Sequence, residues 1–254
     1  MGNPLVSGCI ESVLLECECF SENWEKVYHQ IEQSAPPENQ VLSLVLPIPE
    51  RSGTILFSET TGYSSPYQSL ATLKNDKPIH NFLDYAALSH ALKRFSCFGS
   101  KAMPLVNLRS VLFPIGRARN ASWINPLMID QLKEQGPFTQ IQLINGLTIE
   151  VAANSQSICT RAEAALSVLS MIERDYLIAG KTGPHSPLDV LQLPDTPFAR
   201  SMSRKPLLQQ FPLPIRVLKT AYEQEYALQT LLRLGHTIEG LDWIHESFHT
   251  LPTE

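Results

Sequence analysis

Apolar residues recur along this chain in two rhythms, and the switches between them mark out its elements. Strict alternation over Thr139 to Val151, with Ile141, Leu143, Leu147, Ile149 and Val151 flanking Asn145-Gly146, predicts a β-hairpin. Asn-Gly takes the positive φ angles of a type I′ turn at little cost, so that turn is expected. The runs Gln40–Ile48 and Thr54–Ser58, parted by a turn from Pro49 to Gly53, predict two strands. Leu108–Ile115, ended by Pro114-Ile115-Gly116, predicts another, and Ile10, Val13, Leu14 and Leu15 suggest one within Cys9–Phe20.

The helical rhythm appears in five places. Trp24, Val27, Tyr28 and Ile31 share a face of Glu22–Gln33, which Pro36-Pro37 would end. Phe82, Tyr85, Leu88 and Leu92 do so over Asn81–Phe95, with Asn81 or Asp84 as the start and Lys93-Arg94 at the negative end of the helix dipole. Thr160–Ala179 carries Ala165, Leu166, Leu169, Ile172 and Tyr176 and can stop at Gly180. Pro214–Leu234 and Ile238–Phe248 complete the set. Polar, proline-bearing stretches over Thr60–Pro78 and Gly180–Pro214 predict loops.

These elements predict an α+β fold: a mixed or antiparallel sheet with the Asn-Gly hairpin, packed helices and a helical C-terminal region. The expected organisation is an α+β unit over residues 1–180, a Pro-rich loop or linker over 181–213 and a helical region over 214–254. Composition agrees with a globular chain, at 43% hydrophobic and 18% charged residues. No apolar run approaches the roughly 18 residues of a membrane span. The opening MGNPLVSGCIESVLLECECF lacks leading basic residues and holds Glu11, Glu16 and Glu18, unlike a signal peptide, so a cytoplasmic location is expected.

Five cysteines without an export signal read as free thiols, and Cys9, Cys17, Cys19 and His29 match no zinc spacing. His245 with His249 makes a two-ligand fragment only, so neither metal nor cofactor is expected. Phosphate-loop, dinucleotide, zinc-protease and serine-hydrolase motifs are missing, and Cys97 with His90 does not define a nucleophile and base. The chain is therefore expected not to be an enzyme.

Charge changes the picture most. The chain has a formal net charge of −5, and its first fifty residues hold eight Glu against Lys26 alone. Lys93 to Ile129 instead holds Lys93, Arg94, Lys101, Arg109, Arg117 and Arg119 with no acid. Six cations gathered on one surface would attract a polyanion whatever the net charge. DNA contact is thus expected from these six and from Asn120, whose amide suits a minor-groove acceptor. If GRARNAS (116–122) is extended, Arg117 and Arg119 alternate about Ala118 and point the same way. Trp123, flanked by Ile124 and Leu127, reads as core, and the acidic N-terminus could cover the basic surface. Arg200, Arg204 and Lys205 form a second basic cluster.

The segments SCFGS (96–100), Phe113-Pro114, Trp123-Ile124 and the Asn145-Gly146 hairpin, followed by the run from Thr148 into a helix, stand in the order found in the ComK-like competence transcription factor family. The chain resembles that family over about Phe95–Tyr176. The resemblance implies a cytoplasmic, oligomeric activator of DNA-uptake genes that binds double-stranded A·T-rich boxes, largely through the minor groove. It also implies RNA polymerase as a partner and control by an adaptor that delivers the protein to a protease, the adaptor contact falling at Leu207, Leu208, Phe211 and Pro212. Ser100-Lys101 runs almost directly into Pro104 here, where the family has a Gly-Arg pair and a further basic strand. The alternative, from a different class, is a protein-interaction or regulatory module that keeps the fold without binding DNA.

Overall fold

The structure, a computed structural model, describes residues 13–31, 41–58, 61–75, 81–99, 103–177 and 184–234. Its described strands form two sheets. The first has the order β1-β10-β9-β8, from β1 (Leu14–Glu16), β8 (Ile129–Gln135), β9 (Phe138–Leu143) and β10 (Thr148–Val151). It is mixed, because β1 runs parallel to β10 while β8, β9 and β10 form an antiparallel meander. The second is antiparallel, with β2 (Leu42–Pro47), β3 (Thr54–Ser58), β4 (Gly62–Ser65), β5 (Leu105–Val106), β6 (Val111–Ile115) and β7 (Ser122–Ile124) in the order β4-β3-β2-β7-β6-β5.

Both faces of the second sheet are dry. Leu44, Leu46, Ile55, Phe57, Val111, Phe113 and Ile124 face the main core. Their strand neighbours Val45, Leu56, Leu112 and Trp123 face a second core, closed by Leu73, Phe82 and Tyr85. Successive side chains alternate across a strand, so continuous apolar runs such as LSLVL are what a sheet covered on both sides requires. Trp123 is fully buried, as its flanks suggest, with the Tyr85 ring edge-on at 5.7 Å.

The helices among the described residues are α1 (Glu22–Gln30), α2 (Ser69–Asn75), α3 (Tyr85–Lys93), α4 (Ser155–Leu177), α5 (Pro197–Met202), α6 (Pro206–Gln209) and α7 (Val217–Arg233). The chain is an α+β protein. α4 lies in the main core through Ile158, Ala162, Ala165, Leu166, Leu169 and Ile172. Asp84 caps α3 by accepting from the Ala87 N–H at 3.0 Å, and it also takes Arg233 of α7 at 2.9 Å.

The crossing between the sheets is pinned by Asn125, which is fully buried. Its side chain donates to the Leu42 carbonyl at 3.1 Å and accepts from the Leu127 N–H at 3.0 Å, while its backbone N–H reaches the Ser43 carbonyl. A buried amide satisfied in this way fixes where the chain leaves β7 for β8.

Three sequence expectations change. The Asn145-Gly146 hairpin exists, but its loop has three residues. Gly146 N–H bonds the Leu143 carbonyl and Leu143 N–H bonds the Leu147 carbonyl. Gly146 alone has positive φ, at 88°, so the turn is type I followed by a glycine bulge rather than type I′. The Thr60–Pro78 stretch, read as loop, holds β4 and α2, ordered by tertiary bonds such as Thr54 Oγ1 to the Tyr67 carbonyl at 2.7 Å. The 181–213 stretch is no linker where it is described. Leu191, Phe198, Met202 and Leu208 enter the core shared with α4, and Thr196 donates to the Ile129 carbonyl. The described part of the acidic N-terminal stretch, residues 13–31, is built into the fold. β1 is a strand of the first sheet, and fully buried Trp24 donates to the Glu16 carbonyl at 2.7 Å. The expected Ile238–Phe248 helix and Cys9 lie outside the described residues.

Candidate nucleic-acid interface

The connection from β6 to β7 is built by its glycine. Gly116 sits at φ 97°, a conformation that strains any residue with a Cβ, and turns the chain away from the sheet end. Arg117 is extended, and Ala118–Asn120 form one 3-10 turn closed by Asn120 N–H to the Arg117 carbonyl at 3.0 Å. Ala121 is buried again and returns the chain to β7. Arg117, Arg119 and Asn120 are all exposed on this turn.

Because the segment is a 3-10 turn and not extended, successive side chains are about 120° apart. The alternation expected about Ala118 required an extended segment, and that condition is not met because Ala118–Asn120 is a 3-10 turn. Arg119 Nε donates to Gln68 Oε1 at 2.8 Å, holding its guanidinium beside the start of α2. Neither arginine is ion-paired with a carboxylate among the described residues.

The other expected contacts lie elsewhere. Arg109 is exposed on the β5–β6 turn, where Asn107 Oδ1 accepts from the Arg109 and Ser110 N–H groups at 2.7 and 2.6 Å. That turn and Gly116 are at opposite ends of β6, and at about 3.3 Å per residue Arg109 and Arg117 stand roughly 20–25 Å apart. Lys93 and Arg94 are at the end of α3, where Arg94 donates to Gln224 at 3.0 Å and lies 3.9 Å from Glu225 of α7. Lys101 lies outside the described residues. Arg109 and Arg117 therefore do not share one surface: a strand carries residues that are near in sequence to opposite ends of a sheet.

Acid stands beside the turn. Gly116 and Asn120 line a cavity of about 550 Å³ together with Glu18, Glu50, Arg51, Cys17 and Ser122. Arg51 is engaged there, its guanidinium 3.7 Å from the centre of the Phe20 ring. Burial pushes the Cys17 thiol up to about 11, so it is a neutral acceptor for the Ser122 hydroxyl at 3.7 Å and no nucleophile near neutral pH. His90 faces Glu225 and Gln229 of α7, at 3.6 and 3.3 Å, while burial raises the Cys97 thiol. Among the described residues no group of three or more His, Cys, Asp or Glu could hold a metal.

The segment expected to meet an adaptor is partly consumed by the fold. Leu208 is fully buried and Leu207 N–H bonds the Glu163 carboxylate at 2.9 Å, which leaves Phe211 and Pro212 lining a surface cavity of about 380 Å³. Arg174, a residue with no distinguishing signal in the sequence, organises that cavity. It stacks on Phe211 at 4.3 Å, pairs with Asp175 at 2.8 Å and donates to the Leu213 and Pro214 carbonyls at 3.0 Å each. In the second basic cluster, Arg200 is paired with Asp195. No described helix is long and apolar enough to cross a membrane. Comparison of the chain with protein-family models, with curated proteins and with solved structures finds no match.

Proposed function

We propose that this protein is a DNA-binding regulator, similar in role to the competence factors its middle third resembles, and that it engages A·T-rich duplex through the Gly116–Ser122 turn. One observation carries the reading: Arg117, Arg119 and Asn120 are exposed together on one glycine-set turn, and neither arginine has a carboxylate partner among the described residues. Arg is suited to the narrow, strongly negative minor groove of A-tracts, and the Asn amide to the base acceptors along its floor. Arg109 stands a strand's length away and does not add to this contact, and Arg94 is engaged with Gln224 and Glu225. A cytoplasmic location, self-association and activation of uptake genes belong to the same proposal.

A second reading, an interaction module that does not bind DNA, is favoured by Glu18 and Glu50 beside the turn, whose charge opposes an approaching phosphate. Fluorescence anisotropy on a labelled A·T-box duplex at low salt separates the two. The DNA reading expects saturable binding, weaker binding to a G·C-rich duplex, and displacement by a minor-groove ligand such as distamycin. Absence of binding at tens of micromolar protein, against the ~10⁻⁴–10⁻⁶ M of ordinary non-specific contact, leaves the interaction module.

A further inference from the structure

The outer face of the first sheet has a composition that neither the core nor the DNA reading uses. Strand register fixes what it displays. In one row Gln131, Gln142 and Thr148 stand side by side across β8, β9 and β10; in the next, Lys133, Gln140 and Glu150 do so. Along β9 the same face carries Phe138, Gln140 and Gln142, and exposed Ile144 continues the series just past the strand. The inward partners Thr139, Ile141 and Leu143 are buried, so the outward set faces away from the core. The amides are ordered within the sheet: Gln131 Nε2 donates to Gln142 at 2.8 Å, Gln140 Nε2 to Gln135 at 3.1 Å and to Glu150 at 3.4 Å. Lys133 is exposed and makes no ion pair among the described residues.

From this juxtaposition we propose that the face joins two copies of the chain about a two-fold axis running along β9. That operation leaves β9 over β9 and exchanges β8 with β10. Lys133 of each copy then lies over Glu150 of the other, twice, because both flank Gln140 in one row on opposite sides. Gln140 and Gln142 meet their own twins, and an amide is its own complement because it both donates and accepts. Phe138 and Ile144 meet their twins at the two ends of the axis and supply the apolar anchors. The β1 edge works against the competing arrangement, an extended ladder: Asn23 and Trp24 side chains already occupy the outward carbonyls of Leu14 and Glu16.

Three strands about 4.8 Å apart over a length of roughly 20 Å give about 300 Å² of face per copy. This is well below the roughly 800 Å² per partner of a standard interface, so the association is a weak one. The interface needs neither Arg117 nor Arg119, and the inference stands or falls independently of DNA binding.

Sedimentation equilibrium of the full chain from about 2 to about 200 µM tests it, on the scale set for weak interfaces. The expected result is a monomer–dimer equilibrium for the unaltered protein. Lys133→Glu and Glu150→Lys should each weaken dimerisation at least tenfold, since each creates two like-charge contacts, and the double exchange should restore it. Gln140→Lys, which sets two cations face to face on the axis, should weaken it as well, with thermal unfolding showing each variant folded. A monomer throughout the range, a dimer indifferent to the single exchanges, or a double exchange as weak as the singles overturns the proposal.

Discussion

The two sheets of this protein, one mixed and one antiparallel, put their faces to opposite uses. The six-stranded sheet packs apolar side chains on both faces, its strands carry no charged residue, and Arg109, Arg117 and Arg119 sit on the connections at its ends. The four-stranded sheet is apolar on one face only, and its outer face presents Gln, Lys, Glu and Thr in fixed rows. Arg117 and Arg109, at the two ends of β6, show the consequence for a doubly buried sheet. Its cations can be separated by the length of a strand, but they cannot be spread over its surface. A broad display of side chains is available only where one face is left in water.

The sharpest way to break this contrast is to substitute inside each sheet. Trp123→Ala should cost about 3–5 kcal/mol in urea unfolding, from lost burial and the cavity left behind. Gln140→Ala on the wet face should stay within about 0.5 kcal/mol. Equal costs would mean that the outer face of the first sheet is not open. Arg174→Met should rival the tryptophan change at about 3–5 kcal/mol, because it leaves Asp175 charged and buried and frees the Leu213 and Pro214 carbonyls. A cost under 1 kcal/mol there would show that the 207–215 segment is not held by Arg174.

Asn125→Ala should cost about 1–3 kcal/mol, since it strips a buried partner from the Leu42 carbonyl at the crossing between the sheets. A further effect is a pH dependence. Burial raises the Glu173 carboxyl to about 7, above its unfolded value, so folding favours its protonated form. Its contribution is therefore neutral below the unfolded pKa and becomes unfavourable as pH rises toward and past 7. The Glu173→Gln variant should match the parent near pH 4 and become relatively more stable by pH 8. A difference that does not change with pH would assign the effect to packing.

What was readable in the sequence follows the same division. The alternation in β9 and β10 and the Asn145-Gly146 signal located the hairpin, because a half-wet strand writes its period directly. Only the turn type was missed: Asn-Gly serves a type I turn with a glycine bulge as well as type I′, and loop length decides between them. The strand β3 was also read with its observed limits. Neither β4 nor α2 was visible, since GYSS and SLATLKN bury Tyr63 and Leu73 in a core made by distant residues.

The exposed turn at Arg117, Arg119 and Asn120 was visible through Gly116 and its small neighbours. Sequence proximity did not place Arg109 and Arg117 on one surface, because the whole length of β6 runs between them and carries them to opposite ends of the sheet. Arg174 had no signal at all. MIERDYL reads as a helix with its charges outward, and only the return of the 207–215 segment onto α4 buries them.

The central claim is that DNA contact is confined to one turn, and the salt dependence of binding tests it most directly. Each neutralised phosphate contributes a slope of about −0.9 in log K against log salt, so two arginines predict about −2 where six cations would give about −5. The account predicts the shallow slope, with binding lost in the Arg117→Ala, Arg119→Ala double variant and unchanged by Arg109→Ala. A slope near −5, or binding that survives the double variant, would contradict it.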